Sequence, residues 1–241
     1  MSIYTIADLH LSIAHPEKSM SFFGQKWNLY EERLEKNWRA IVDADDSVIL
    51  PGDISWAITL LDSASDFAFL DSLPGKKYIG KGNHDFWWST ASKVHAFWKE
   101  HGFSTLHMLY NNAYLIEDRI ICGTRGWFLD EKAQKTVSPT DFEKLCNREY
   151  LRLKLSLDEG VKLQKLYGEH IPICVFLHFP PVWGEDRCEN LLSLLEEYHV
   201  SRCYFGHIHG HYRAPLVSEY CGIPLTLVAS DHLGFLPIPV R

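Results

Sequence analysis

Ile3-Tyr4-Thr5-Ile6-Ala7-Asp8-Leu9-His10 is the stretch that decides the fold. A run of mostly apolar, β-prone residues ends in a carboxylate and an imidazole two positions apart, which reads as a strand delivering metal-ligand chemistry at its tip. The pattern recurs four times. Ser47-Val48-Ile49-Leu50 leads to Gly52-Asp53, and Lys77-Tyr78-Ile79 leads to Gly82-Asn83-His84-Asp85. Ile173-Cys174-Val175-Phe176-Leu177 leads to His178, and Cys203-Tyr204-Phe205 leads to Gly206-His207-Ile208-His209. If the strands belong to packed sheets with carboxyl ends on one rim, oxygen and nitrogen ligands converge there in a number that suits two metal ions sharing a carboxylate. Mixed carboxylate, amide and imidazole donors suit Mn²⁺, Fe²⁺ or Zn²⁺. They exclude an all-thiolate structural zinc site and argue against an all-oxygen calcium cage.

Helical patterns alternate with these strands. Residues 25–44 place Trp27, Tyr30, Leu34, Trp38 and Ile41 at three- and four-residue spacing, and 57–72 and 90–101 read as further helices. Short β-like pieces occupy 105–109, 113–116 and 119–123, the last two forming a hairpin, with Asn111-Asn112 and Glu117-Asp118 as turns. Ser138 or Thr140 caps a long helix to about residue 167, whose Phe142, Leu145, Tyr150, Leu153, Leu157, Val161 and Leu166 form one apolar face. Residues 224–229 add a strand. Strands alternating with helices predict an α/β class, with two mixed sheets face to face and helices outside, in one domain over 1–241.

Bulk properties narrow the function. A chain of 241 residues buries an adequate core without disulfides, and its six cysteines include no C-x-x-C pair. They read as reduced structural thiols of a cytoplasmic protein. Thirty-one acidic against twenty-four basic residues give −7, which disfavours a general nucleic-acid binder. No apolar run reaches the ~18–20 residues of a membrane span, and no leader precedes the first motif, so the cytoplasm is expected.

The ordered set D-x-H, G-D, G-N-H-D, H and G-H-x-H resembles the calcineurin-like metallophosphoesterase superfamily over residues 8 to 209. Ala7 stands where many members have Gly, which removes no ligand. The resemblance implies a four-layer α/β/β/α sandwich. It implies that Asp8, His10, Asp53 and His209 hold one metal, and that Asp53, Asn83, His178 and His207 hold the other. Seven side chains thus make eight contacts, because Asp53 bridges. It implies hydrolysis of a phosphoester by a metal-bridging hydroxide attacking phosphorus in line. His84, the motif imidazole that this ligand set leaves unused, is the candidate general acid. Asp85 either orients His84 or satisfies its turn.

Substrate selection is less legible. Arg125 and Trp127 follow a predicted strand, where Arg125 can reach a phosphate oxygen and Trp127 can stack on a base or sugar; a solvated Arg and a half-buried Trp at a turn read equally well. His211 and Arg213 are candidates for the rim. Phe86-Trp87-Trp88 and Trp56 either wall the pocket or pack the core. The Asn-His-Asp form of the third motif, and Ile54-Ser55-Trp56 in place of an arginine after Gly52-Asp53, look more like phosphodiesterase-type branches than the protein-phosphatase branch. A phosphodiester or small-molecule phosphate is therefore the expected substrate. The alternatives are a protein phosphatase and, in another class, a non-catalytic metal-binding scaffold for a protein partner.

Overall fold

A computed structural model describes residues 1–127 and 138–241. Two large sheets pack face to face. The first has the order β13-β1-β2-β3-β4, built from β1 (Ile3–Thr5), β2 (Ser47–Pro51), β3 (Lys76–Gly80), β4 (Leu106–Met108) and β13 (Ile238–Pro239). Strands β1 to β4 are parallel, and β13 closes one edge antiparallel. The second has the order β11-β12-β10-β7-β6-β5. Its members are β5 (Ala113–Ile116), β6 (Arg119–Thr124), β7 (Ile173–Leu177), β10 (Arg202–Phe205), β11 (Val217–Tyr220) and β12 (Ile223–Leu227). Its four central strands are parallel, with antiparallel β5 and β11 outside. A small hairpin pairs β8 (Val182–Trp183) with β9 (Asp186–Arg187).

The strands are unbroken apolar runs because parallel strands here are covered on both faces. Every residue of β2 and of β7 is buried. One face meets the other sheet, where Ile49, Tyr78, Ile121, Phe176 and Tyr204 interdigitate. The opposite faces meet helices. Val48, Leu50 and Ile79 pack beneath α1 (Tyr30–Ile41), α2 (Ala64–Ser72) and α3 (Ala91–Glu100). Val175, Leu177 and Cys203 pack beneath α4 (Pro139–Tyr167) and α5 (Glu189–Glu197). The result is the expected α/β/β/α sandwich. All six cysteines are free. Among the described residues, no helix is long and apolar enough to cross a membrane.

Several element boundaries depart from the sequence reading. The helix expected over 25–44 is a 3₁₀ turn, Gln25–Trp27, followed by α1. Leu29 between them takes a left-handed φ of 50°, a break no Gly or Asn announces. Residues 57–63 precede α2 as turns, because Thr59 and Asp62 bond each other's backbone N–H and Ser63 Oγ donates to Leu60 O. Ser138 caps α4 by accepting from Asp141 N at 3.2 Å. Leu166 does not share the apolar face of α4 and is largely exposed. Helix α5 was not anticipated, although Leu191, Leu192, Leu194 and Leu195 are all buried at helical spacing.

The sheets meet at a seam. Ala7, past the end of β1, bridges to Ala229, past the end of β12, through Ala7 N to Val228 O at 2.8 Å and Ser230 N to Ala7 O at 3.0 Å. All the parallel strands therefore present their carboxyl ends to one rim, where open α/β sheets bind ligands.

Candidate metal centre

The segments after β1 and β2 keep running side by side beyond the sheet. Asp8 N donates to Gly52 O, His10 N to Asp53 O, and Leu11 N to Ile54 O. Asp8, His10 and Asp53 all adopt left-handed φ values of 46–59°, and His207 has 69°. Left-handed backbone at non-glycine residues costs roughly 1 kcal/mol or more each, so the surrounding bonds must impose it. Two glycines permit the close approach. A Cβ on Gly52 would lie 2.5 Å from Gly82 N, and one on Gly206 would lie 2.7 Å from Ala7 Cβ.

Asp85 supplies much of that constraint. It is fully buried and accepts from the backbone N–H groups of Gly82 (2.7 Å), Asp53 (2.9 Å), Ile54 (2.8 Å) and Ser55 (3.4 Å), and from Trp87 Nε1 (2.9 Å). Among the described residues it makes no hydrogen bond to the His84 ring. Of the two roles open to Asp85, the geometry favours the turn: its carboxylate staples the loop after β2 to the loop after β3. His84 N in turn donates to Asp53 Oδ1 at 2.8 Å.

Five side chains converge on the seam. Ligand atoms of Asp8, His10 and His209 lie within 4.8 Å of one another, as do those of Asp8, Asp53 and His178. Asp53 Oδ2 also reaches both sides, at 3.7 Å from His10 Nε2 and 3.4 Å from His178 Nε2. His178 Nδ1 donates to Pro51 O at 3.2 Å, which leaves Nε2 as an acceptor facing Asn83 Oδ1 at 2.7 Å. His209 Nδ1 donates to Asp231 Oδ1 at 2.9 Å, and its Nε2 faces His10 Nε2 at 3.2 Å and Asp8 Oδ1 at 3.4 Å. Lone pairs crowded this closely, with the His178 and His209 imidazoles each fixed from behind by an oxygen, are the arrangement a divalent cation stabilises. The donor set fits two such ions. His207 places its backbone N–H on both Asp8 oxygens, and its ring lies 5.2 Å from that of His178.

The charges tell the same story. Burial, then Asp85 and Asp8, push the Asp53 carboxyl well above the usual range. Burial, then neighbouring imidazoles, pull His10 and His178 well below theirs. Burial pulls on His209 too, but Asp8 and Asp231 outweigh it and push it up to about 10. Without a cation the cluster holds unlike groups in awkward protonation states; a cation reverses that logic.

His84 sits at the edge, its ring 5.6 Å from His10 and 4.6 Å from Trp56. Burial lowers its pKa. Trp56 is half-buried and stacks on His10 at 4.9 Å. The aromatic run divides: Trp87 is core, against Phe67; Trp88 is half-buried against Tyr110; Phe86 is exposed. On the other side, Arg125 O accepts from His178 N and Phe179 N. The Arg125 guanidinium lies over the Trp127 ring at 4.8 Å and 3.6 Å from buried Glu149. Its Nε and Nη2 make no hydrogen bond among the described residues. Trp127 packs on Phe179, which packs on His207 at 4.4 Å. His211 and Arg213 are exposed and line a shallow cavity with Tyr212. Asp231, which the sequence reading did not single out, is fully buried and also accepts from Gly210 N and Tyr212 Oη.

The family profile of calcineurin-like phosphoesterases matches residues 1–211. The chain belongs to that family. It is therefore a metal-dependent phosphoesterase of a group that works with two metal ions. No functionally curated protein matches the sequence. Among solved structures, it is similar to a phosphopantetheinyl hydrolase from Mycobacterium tuberculosis, with 13% identity, TM-score 0.57, and 99% and 95% of the two chains covered. It is also similar to TT1561 of Thermus thermophilus, with 12% identity, TM-score 0.56, and 95% and 89% covered. At such identities the likeness concerns the fold.

Proposed function

We propose that this phosphoesterase hydrolyses a phosphodiester or another small-molecule phosphate at the seam between the sheets. The observation that carries the reading is the convergence of Asp8, His10, Asp53, His178 and His209 with His84 beside them. Asp8, His10, Asp53 and His209 would hold one ion, and Asp53, Asn83, His178 and His207 the other, with Mn²⁺, Fe²⁺ or Zn²⁺ as the metal. When bound, such a pair supplies a nucleophile from water near neutral pH and offsets charge on the phosphoryl oxygens.

The protein's own groups do the rest. His84 holds a proton for the leaving alkoxide, and burial makes its imidazolium a readier donor. Its backbone bond to Asp53 Oδ1 fixes its position relative to the centre. Trp56, stacked against His10, excludes water from that side. Arg125 retains two N–H donors for a phosphate oxygen, with Trp127 beneath it for stacking. The small-molecule preference rests on the Asn-His-Asp motif and on Ile54 in place of an arginine after Asp53. Residues 1–241 act as one domain in this reading, because the Ala7–Ala229 bridge joins the sheets that share the centre. A cytoplasmic location goes with the free cysteines.

The test is a panel of metal ions against aryl phosphate monoesters and diesters, run on the wild type and His84→Ala. The variant should keep its metal content and lose about 10²–10⁴-fold in kcat. A metal-replete wild type that cleaves neither ester class would sink the proposal and favour the scaffold reading.

A further inference from the structure

A cavity of about 500 Å³ opens beside His84, lined by Glu17, Lys18, Ser19, Phe22, Phe23, Trp56, Ile58 and Phe86. Four of these lining residues present large apolar side chains to solvent: Phe22 is 77% exposed, Phe23 72%, Phe86 57% and Ile58 52%. Single exposed apolar residues are ordinary, but four around one cavity make a binding surface. The cavity adjoins the candidate centre, because two of its walls touch His84. Trp56 contacts the His84 ring at 4.6 Å, and Phe86 contacts it at 6.1 Å. Lys18 Nζ donates to Trp56 O at 3.3 Å, tying the segment that carries Phe22 and Phe23 to the Trp56 wall.

The proton donor marks the side from which the alcohol departs. We infer that this cavity receives an apolar leaving group, so that the substrate is an amphiphilic phosphoester whose alcohol carries an alkyl or acyl chain. The inference rests on the phosphoesterase reading with His84 as acid. In the reaction, water adds its oxygen to phosphorus and the P–O bond to the alcohol breaks. The alkoxide takes a proton from His84, and the proton released by water restores it. The flank that carries Arg125, whose carbonyl accepts from His178 N, faces the retained phosphoryl group.

Two measurements test this. Ethylphosphonate and octylphosphonate cannot be hydrolysed at their C–P bonds, so calorimetric titration of the metal-loaded protein reads binding alone. Ethyl and octyl phosphates, as monoesters and diesters, read turnover through the released alcohol. A methylene moved fully from water is worth about fourfold in affinity, so the half-enclosed chain should favour octyl over ethyl by at least about tenfold in Kd and in kcat/KM. Phe23→Ser and Ile58→Ser, both at exposed positions, should each shrink that ratio severalfold. Turnover with an octyl-to-ethyl ratio near one would overturn the inference and leave the phosphoesterase reading standing. A large ratio in phosphonate binding that falls in the variants, with no ester cleaved, would keep the apolar subsite and remove the hydrolytic reading. A ratio unchanged in both variants, or variants that alter only the oligomeric mass by light scattering, would make the patch a contact between proteins and overturn it.

Discussion

The two sheets meet at one rim but bring different chemistry to it. The strand ends of the first sheet carry Asp8, Asp53, Asn83 and Asp85, with His10 and His84 among them. Those of β7 and β10 in the second carry His178, His207 and His209 and no carboxylate. Each side also has its own brace: Asp85 grips four backbone N–H groups of the first sheet's loops, while Asp231 holds one imidazole of the second. The candidate anionic ligands therefore all come from one half, whereas β7 and β10 of the other bring only imidazoles. Neither half makes a centre by itself, and the seam at Ala7 and Ala229 is where complementary halves are joined.

The sharpest way to break this contrast is to remove the first sheet's brace. Asp85→Ala leaves buried N–H groups of Gly82, Asp53 and Ile54 and the Trp87 indole without an acceptor. It should cost about 3–5 kcal/mol in urea unfolding, beyond the loss from any single exposed residue. If it unfolds as readily as the wild type, the brace is not structural. Removing the metals should come next. Chelation should lower the thermal midpoint by an amount equivalent to about 3–4 kcal/mol at a thousandfold excess over Kd, because the carboxylates of the first sheet lose their counter-charge. An unchanged midpoint would mean that the halves dock without cations.

Removing the second sheet's brace should be gentler. Asp231→Asn releases the charge that helps hold His209 up to about 10, and should weaken metal affinity about 10–100-fold with little change in the fold. Metal titration would show it; equal affinity would make Asp231 a bystander. The smallest effect concerns Lys77, wholly buried in β3 with its Nζ donating to Leu73 O and Thr105 Oγ1. Burial lowers its pKa to about 8. Below that pH both folded and unfolded chains carry the charge, and the burial penalty is present in full. Between about 8 and the ordinary lysine value of 10.5, the unfolded chain binds the extra proton. Stability should therefore rise with pH across that window. Lys77→Met should abolish the rise and add roughly 1 kcal/mol near neutrality. A flat pH profile in the wild type would refute this.

Much of the contrast was legible because each strand-end motif is local: apolar run, turn and ligand are contiguous, so one reading covers all three. The packing of two mixed sheets face to face with helices outside followed from the same runs. What escaped depended on contacts distant in sequence or on backbone states without a residue signature. Asp231 stands 22 residues beyond His209 with no motif around it, and only the sheet crossing brings them together. The choice between roles for Asp85 needed the positions of Ile54 and Ser55, thirty residues away. The late start of α1 turned on Leu29 alone. Leu166 looked apolar by period, yet it lies one residue from the end of α4 and is largely exposed. Helix α5 carries its signal in Leu191, Leu192, Leu194 and Leu195, a pattern too short to stand apart from a buried strand by period alone.

The left-handed backbone at Asp8, Asp53 and His207 has an evolutionary consequence. Asn and Gly occupy that conformation more comfortably, and neither brings a buried charge. A descendant released from selection for hydrolysis would gain stability by drifting to them at these positions while leaving its sheets intact. Paralogues that have retired from catalysis should thus be recognisable as the sturdier members of their lineage, with their scars confined to the tips of β1, β2 and β10.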